Sequence, residues 1–188
     1  MRTALLFLLG LALLRRGLVG PSASTPPPGT GDPTTRGEVI RLARSKAAEY
    51  GIPPWTLLAT AQVESYDLAH GPPYDDVGSL SFPPYGMKAA TAAAARRLPW
   101  NPSTRADLER QLRGLPFVTD TAARLMRIYW HRYGGDTDLV RIAWNAGGGT
   151  ANKVRDSGSL PAWYLGAKRD RWEAAVRRWG GSPDRRLA

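Results

Sequence analysis

Residues 38–65 read EVIRLARSKAAEYGIPPWTLLATAQVES, two apolar-periodic segments joined by the turn Gly51-Ile52-Pro53-Pro54. In the first segment, 38–50, apolar side chains recur every three to four residues, which is the spacing of one helix face. Gly51 ends this helix, and the two prolines suit the start of a second helix that runs from Trp55 to Ser65. The folded part of the chain is therefore expected to begin with a pair of helices.

The same reasoning predicts helices along most of the remaining chain and no convincing alternating strand. Further helices are expected over 88–98, over 104–112 with Thr104 as the cap, over 119–133, from Asp136 or Thr137 to Asn145, and over 167–179. Between Tyr66 and Pro84 the chain is rich in Gly, Pro, Asp and Ser, which predicts a long loop of the kind that is usually functional. We therefore predict an all-α domain over 37–180 and a tail over 181–188.

The composition limits the class of protein. The chain has 188 residues, 43% of them hydrophobic and 22% charged, which suits one domain with a buried core. It has no cysteine, which excludes disulfides and thiolate metal sites, and its two histidines leave little material for a zinc site. Its 26 basic and 16 acidic residues give a net charge of +10. Such a balance favours a polyanionic partner: a nucleic acid, an anionic membrane or an acidic cell-wall polymer.

The N-terminus indicates export. After Met1-Arg2, residues 3–14 (TALLFLLGLALL) form an apolar run with the length of a signal-peptide core, short of the roughly 20 residues of a spanning helix. We expect 1–24 to be a signal peptide, although Arg15-Arg16 leaves open an uncleaved anchor that tethers the protein to a membrane through residues 4–14. Residues 25–36, rich in Pro, Gly and Thr, are expected to be a linker. The expected location is the periplasm or cell envelope, or a virion if the gene belongs to a phage.

Glu64 is the first candidate for chemistry. It shares one face of the second predicted helix with Leu57 and Ala61, and that face is apolar. A carboxylate on an apolar helix face usually has a charged or hydrogen-bonding partner or a catalytic role. One that also opens onto a polar loop suits general acid catalysis. The alternative is that Glu64 caps the helix or pairs with a nearby arginine.

Other side chains are candidates to assist Glu64. Asp67, Asp75 and Asp76 in the long loop could supply a second carboxylate across a cleft, although loop aspartates commonly bond only their own turns. The aromatic rings of Tyr129, Trp130, Tyr133 and Trp144 could stack on sugars, although aromatic residues at helical spacing are more often core. Asn145, at the end of a helix beside small residues, leaves room for a ligand to approach the backbone.

Three segments together resemble the SLT-type lytic transglycosylase domain, which shares a lysozyme-like fold with the goose-type lysozymes. The first, AEYGIPPWTLLATAQVES over 48–65, contains the Glu-Ser pair that carries the family's catalytic acid. The second, SFPPYGMK over 81–88, is followed by Thr91-Ala92, where the family has a Gly-(Leu)-Met-Gln stretch and then Thr-Ala. The third, RYGGDTDLVRIAWNAG over 132–147, resembles the family's Arg-Tyr-Gly-Gly-Asp and Ala-Tyr-Asn-Ala-Gly signature. The resemblance covers about 38–154, in the family's order.

The resemblance implies an enzyme that cleaves the β-1,4 bond between N-acetylmuramic acid (MurNAc) and N-acetylglucosamine (GlcNAc) in peptidoglycan. Glu64 would be the single acid and base, the product would carry a 1,6-anhydro ring, and no metal or cofactor would be needed. Ser65 and Asn145 would orient the 2-acetamido group, and Tyr85, Met87 and Trp144 would line the sugar sites. The full implied substrate-binding set is Ser65, Ser81, Tyr85, Gly86, Met87, Tyr129, Trp144, Asn145 and Ala146. The expected partners are peptidoglycan glycan strands and, through charge, an anionic wall polymer, with no nucleic acid.

The chain also departs from the family pattern. Gly86 stands where the family has Gln, Pro83 replaces a Gly, and Trp144 replaces a Tyr. Residues 160–165 read LPAWYL, where many members have Glu-Thr-Arg-x-Tyr-Val. Two alternatives follow: a hydrolase like the goose-type lysozymes, in which Asp75 or Asp76 positions a water, and a non-catalytic peptidoglycan-binding or virion structural module.

Overall fold

The computed structural model describes residues 33–65, 68–76 and 78–183. The predicted signal peptide, 1–24, and residues 25–32 of the predicted linker lie outside the described residues. The first helix begins at Pro33, four residues before the expected domain boundary at 37. None of the described helices is both long enough and apolar enough to cross a membrane.

Seven helices make up most of the described chain, which confirms a mainly helical domain. They are α1 (Pro33–Tyr50), α2 (Pro54–Ser65), α3 (Ala89–Arg96), α4 (Pro102–Gln111), α5 (Leu115–Arg132), α6 (Thr137–Ser157) and α7 (Ala167–Arg178). The α2 helix lies at the centre and contacts α1, α5 and α7, and its residues 56–61 are all buried. Gly181, in the predicted tail, packs closely against Trp55 at the start of α2.

The prediction of no strand was wrong, because the long loop after α2 folds into a small antiparallel sheet. Its strands are β1 (Tyr74–Asp75), β2 (Leu80–Phe82) and β3 (Met87–Lys88), in the order β1-β2-β3. Strands of two or three residues are too short to show an alternation of apolar and polar side chains. The sheet turns the loop back toward α2, so residues 86–88 lie close to the end of that helix.

Several helix ends differ from the predicted ones for local reasons. Asn101, not Thr104, caps α4, because its side chain accepts a hydrogen bond from the Thr104 amide at 2.9 Å. Helix α5 begins at Leu115 rather than at Thr119, with a proline in its first turn. Asp136 caps α6 as one of the two predicted alternatives. The predicted break after Asn145 is a kink at Gly147, whose φ is +82°, and the helix continues to Ser157.

A cluster around Asp120 ties α1 and α3 to α5. The Asp120 carboxylate accepts hydrogen bonds from Tyr50 at 3.0 Å and Arg96 at 2.6 Å, and it lies 3.1 Å from the Lys46 ammonium. Burial alone would raise the pKa of Asp120, but the hydrogen bonds from Lys46 and Tyr50 and the attraction of Lys46 and Arg96 outweigh it, so the pKa lies below its ordinary value. The stabilisation from this carboxylate is therefore complete above the ordinary aspartate pKa and is lost as the pH falls through the lowered value.

Replacing Asp120 with asparagine is expected to lower the free energy of unfolding by about 2 kcal/mol at neutral pH, because three partners lose their charged acceptor. The deficit should shrink below about pH 4, because Asp120 then takes up a proton in the unfolded wild-type chain while the folded carboxylate is still ionised. Urea unfolding at neutral and acidic pH measures both values. The exposed Asp156, which pairs with its neighbour Arg155, provides the control Asp156→Asn. A deficit for Asp120→Asn that is the same at both pH values would contradict the charge-based account.

Candidate active site

Glu64 lies at the C-terminal end of α2 and forms an ion pair with Arg141 of α6. Its Oε1 accepts a hydrogen bond from Arg141 Nη1 at 2.7 Å. The Glu64 side chain is 20% exposed and the Arg141 side chain 8%. The Arg141 guanidinium also lies 5.5 Å from the centre of the Trp172 ring. The alternative in which Glu64 pairs with a nearby arginine is therefore confirmed, but the same side chain also borders a cleft.

Two cavities meet at Glu64, and Asn145 also lines both of them. The first, which we call the α6–α7 cavity, has a volume of about 440 Å³. Its other walls are Val63, Arg141, Ala146, Trp163, Lys168 and Arg171. The second, which we call the β3 cavity, has a volume of about 200 Å³. Its walls include Asp76, Gly86, Met87, Lys88, Thr91 and Trp144.

Gly86 lies against the carboxylate of Glu64 on the side of the β3 cavity. Its φ is +61°, a conformation that side chains other than glycine rarely adopt. A Cβ atom at this position would lie 3.0 Å from Glu64 Oε2. The glycine thus makes room for the carboxylate, because a side chain at position 86 would press against Glu64 Oε2. The two oxygens of Glu64 therefore differ, since Arg141 holds Oε1 and Oε2 lies beside Gly86.

The structure brings five of the predicted binding residues to the cleft with Glu64. Gly86 and Met87 come from the loop sheet and line the β3 cavity, and so does Trp144 from α6. Asn145 lies at the junction of both cavities, and Ala146 lines the α6–α7 cavity. The three sequence segments that carry the family resemblance thus contribute to one cleft.

Four predicted binding residues do not line either cavity. Ser65 donates its hydroxyl to the Ala61 carbonyl at 2.6 Å, within α2. Ser81 is buried in β2 and its hydroxyl faces Asp76 at 3.5 Å. Tyr85 is fully buried, and this burial raises the pKa of its phenol. Tyr129 is half-buried beside Tyr133, so both rings belong to the packing between α5 and α6, where the Tyr133 hydroxyl donates to the Gly148 carbonyl at 3.0 Å.

The aspartates that were candidates for a second carboxylate have different surroundings in the structure. Asp76 lines the β3 cavity with Glu64, and its carboxylate pairs with Lys88 at 2.9 Å. Asp75 accepts a hydrogen bond from the Gly78 amide at 2.8 Å and so serves its own turn. Asp67 lies outside the described residues. Of the two described aspartates, Asp75 and Asp76, only Asp76 therefore lines the β3 cavity together with Glu64.

Sequence reasoning missed the cationic side of the cleft. Arg141 stands among Leu139, Val140, Ile142 and Ala143, all buried, so an arginine in that register already required an acidic partner. Lys168 and Arg171 belong to the Arg-rich helix α7, and basic side chains on such a helix are usually solvated. They are three residues apart and so face the same side of α7, but only the packing of α7 shows that this side forms a cavity wall.

The described residues contain no group of three or more His, Cys, Asp or Glu side chains that could hold a metal ion. No protein-family model, curated protein or solved structure matches the chain. A functional proposal therefore depends on the motifs quoted above and on the geometry around Glu64.

Proposed function

We propose that this protein is a lytic transglycosylase that cleaves peptidoglycan strands between MurNAc and GlcNAc, with a helical domain of the lysozyme-like type. The observation that carries the proposal is the position of Glu64. It lies partly exposed at the meeting point of two cavities, with walls drawn from all three segments that resemble the SLT-type family. In the same proposal, the basic protein is exported to the cell envelope and is held on an anionic wall polymer by its charge.

In the first step, Glu64 in its acid form protonates the glycosidic oxygen, and the bond between this oxygen and C1 of MurNAc breaks. The released GlcNAc keeps the proton as its 4-hydroxyl group. The 2-acetamido oxygen of MurNAc stabilises the positive charge that develops at C1, in place of a second carboxylate. Because Arg141 holds Oε1, we assign the proton transfer to Oε2, which lies beside the β3 cavity.

In the second step, Glu64 as a carboxylate removes the proton from the C6 hydroxyl of the same MurNAc. The C6 oxygen then bonds to C1, which closes the 1,6-anhydro ring and restores the acid form of Glu64 without consuming water. Arg141 Nη1 donates its hydrogen bond to Oε1, 2.7 Å long in the structure, and so keeps the Glu64 side chain in place between the two steps. Met87 and Trp144 offer apolar and aromatic surface to the sugar rings in this arrangement.

Digestion of purified peptidoglycan with the full chain tests the reaction, with products identified by mass spectrometry. We expect muropeptides that are lighter by one water than the reducing muropeptides released when the same peptidoglycan is digested in parallel with a hydrolytic lysozyme. Release of reducing muropeptides would contradict the transglycosylase and favour hydrolysis. Binding to the sacculus without any release would contradict both reactions and favour a binding module.

A goose-type hydrolase is the second candidate, because Asp76 shares the β3 cavity with Glu64. Its carboxylate could position a water for attack on C1. Asp76 Oδ2 lies 2.9 Å from Lys88 Nζ, so the carboxylate presents acceptor oxygens of the kind that a water-positioning group uses. Reducing products that vanish on replacement of Asp76 with asparagine would favour this candidate over the transglycosylase.

A further inference from the structure

The C-terminal half of α5 carries basic side chains and no acidic one. Residues 121–132 include three arginines and one histidine, and neither aspartate nor glutamate occurs among them. Four exposed residues of this segment are spaced three or four positions apart and so share one side of the helix. They are Arg124, Arg127, Ile128 and His131, and we call this surface the α5 face.

The arginines of the α5 face differ from those of α4 in their partners. Two exposed arginines of α4 pair with acidic residues one turn away, at 2.7 Å each, in the pairs Arg105–Glu109 and Asp107–Arg110. Among the described residues, by contrast, no carboxylate forms an ion pair with Arg124 or Arg127. Like charges three residues apart on a helix repel one another and cost stability. The stability of the fold therefore does not account for this arrangement, whereas an anionic partner would offset the repulsion.

The nearby acid Asp120 does not neutralise the α5 face. Asp120 is the one acidic residue of α5 and precedes Arg124 by one turn. Its carboxylate already binds three groups of α1 and α3, those of Lys46, Tyr50 and Arg96. The Arg124 guanidinium lies 5.7 Å from the centre of the Tyr50 ring, a contact that orients the cation and leaves its charge intact. The α5 face therefore presents positive charge to the solvent.

The side chains of the α5 face suit the phosphates of a lipid surface. A guanidinium donates paired hydrogen bonds to phosphate oxygens, which favours an anion that carries phosphate. Ile128 lies within the α5 face and is 40% exposed, and it gains little from a hydrophilic polyanion in solution. At an anionic bilayer the same side chain can leave water among the headgroups while the arginines meet lipid phosphates.

Docking through the α5 face is compatible with an open cleft and with export. The four residues, all within the described chain, line neither the α6–α7 cavity nor the β3 cavity. The opposite side of α5 is packed in the core through Val118, Ala122 and Met126, so the helix stays within the domain. The segment over 1–24, whether signal peptide or anchor, is expected to bring the protein to a membrane.

We propose that the α5 face docks on a membrane surface that contains anionic phospholipids. Arg124 and Arg127 bind lipid phosphates, and Ile128 enters the layer between the headgroups and the acyl chains. This inference goes beyond the proposed reaction and does not depend on it, because the α5 face lies outside both cavities at Glu64. Together with that reaction, docking would confine cleavage to glycan strands close to the membrane.

A single fluorescent label on the full chain tests the contact. The chain has no cysteine, so Ile128→Cys creates one labelling site on the α5 face, and Ala106→Cys creates a matched site on the exposed surface of α4 among the paired charges. Each labelled chain is mixed at low salt with vesicles whose lipids carry a quencher, made of phosphatidylcholine alone or with about 30% phosphatidylglycerol. We expect quenching at position 128 to exceed that at position 106 about threefold on the anionic vesicles, and the two to be equal on neutral vesicles. Any tether through residues 4–14 is the same in both chains and cannot produce this difference.

The double variant Arg124→Gln, Arg127→Gln is expected to weaken docking roughly 30-fold, so quenching at position 128 should fall to the level at position 106. The control Arg105→Gln, Arg110→Gln makes the same change in net charge on α4 and should retain the quenching. Equal quenching at the two positions on anionic vesicles would overturn the proposal, and so would an equal effect of the two double variants.

Inorganic polyphosphate serves as the probe for a polyanion in solution. A label at position 128 that responds to polyphosphate but is not quenched by the lipid would overturn the membrane assignment. The digest of peptidoglycan contains no vesicles, so a failure of docking and a failure of the proposed reaction are observed separately.

Discussion

Replacing Glu64 with glutamine is expected to slow cleavage of peptidoglycan roughly 10³-fold, because the amide can neither donate the proton to the glycosidic oxygen nor accept one from the C6 hydroxyl. The amide oxygen can still accept the hydrogen bond from Arg141, so the side chain should keep its place at the junction of the two cavities. The variant should therefore fold normally, and binding of glycan strands should remain. The measurement is the initial rate of muropeptide release at saturating peptidoglycan, with sacculus binding and thermal unfolding followed in parallel.

Glu38→Gln is the matched control, since it makes the same chemical change at an exposed position on α1. The Glu38 carboxylate makes a long contact there, 3.9 Å between Oε1 and Arg41 Nη2. Its rate should equal that of the wild type. If Glu64→Gln retained more than about a tenth of the wild-type rate while Glu38→Gln was unchanged, Glu64 would not be the acid and base. If both variants were equally slow, the effect would come from the change in the protein's net charge, which alters its attraction to the wall polymer, and not from the loss of proton transfer.

The sequence predicts the elements around Glu64 better than it predicts their contacts. The apolar spacing in 38–65 predicts both α1 and α2, and it places Glu64 on the face of α2 that carries the buried Leu57 and Ala61. The sequence also predicts a cap at Asp136 or Thr137, of which Asp136 is the one observed, and an interruption near Gly147. These features depend on neighbours in the chain, which the sequence gives directly.

Contacts between distant segments are harder to predict. Glu64 and Arg141 are 77 positions apart, and only the packing of α6 beside α2 decides which arginine meets the carboxylate. The family resemblance implies a place for Tyr85 at a sugar site, but the small sheet folds the ring into the core. That sheet is held by cross-strand bonds and by the Asp76–Lys88 pair, not by any pattern within a strand of two or three residues.

Replacing Gly86 with alanine is expected to lower kcat/KM for peptidoglycan by about tenfold to a hundredfold. The new Cβ would lie 3.0 Å from Glu64 Oε2 and 3.6 Å from its Cδ, closer than a methyl group and a carboxylate oxygen can comfortably approach. The carboxylate must then retreat by a few tenths of an ångström, away from the β3 cavity in which the proton is exchanged. Small displacements of this kind are costly, because proton transfer needs the reacting atoms at hydrogen-bond distance and in line.

Gly78→Ala separates this steric effect from backbone strain. Gly78 has a φ of +75°, similar to the +61° of Gly86, and lies in the same loop, but a Cβ there would meet nothing within 4 Å. Both variants should lose about 1 kcal/mol of stability from the left-handed backbone, measured by urea unfolding. Only Gly86→Ala should lose activity, since only this substitution moves the carboxylate. An equal loss of activity in the two variants would mean that the loop must flex for the reaction, and that close contact with Glu64 is not the reason for a glycine at position 86.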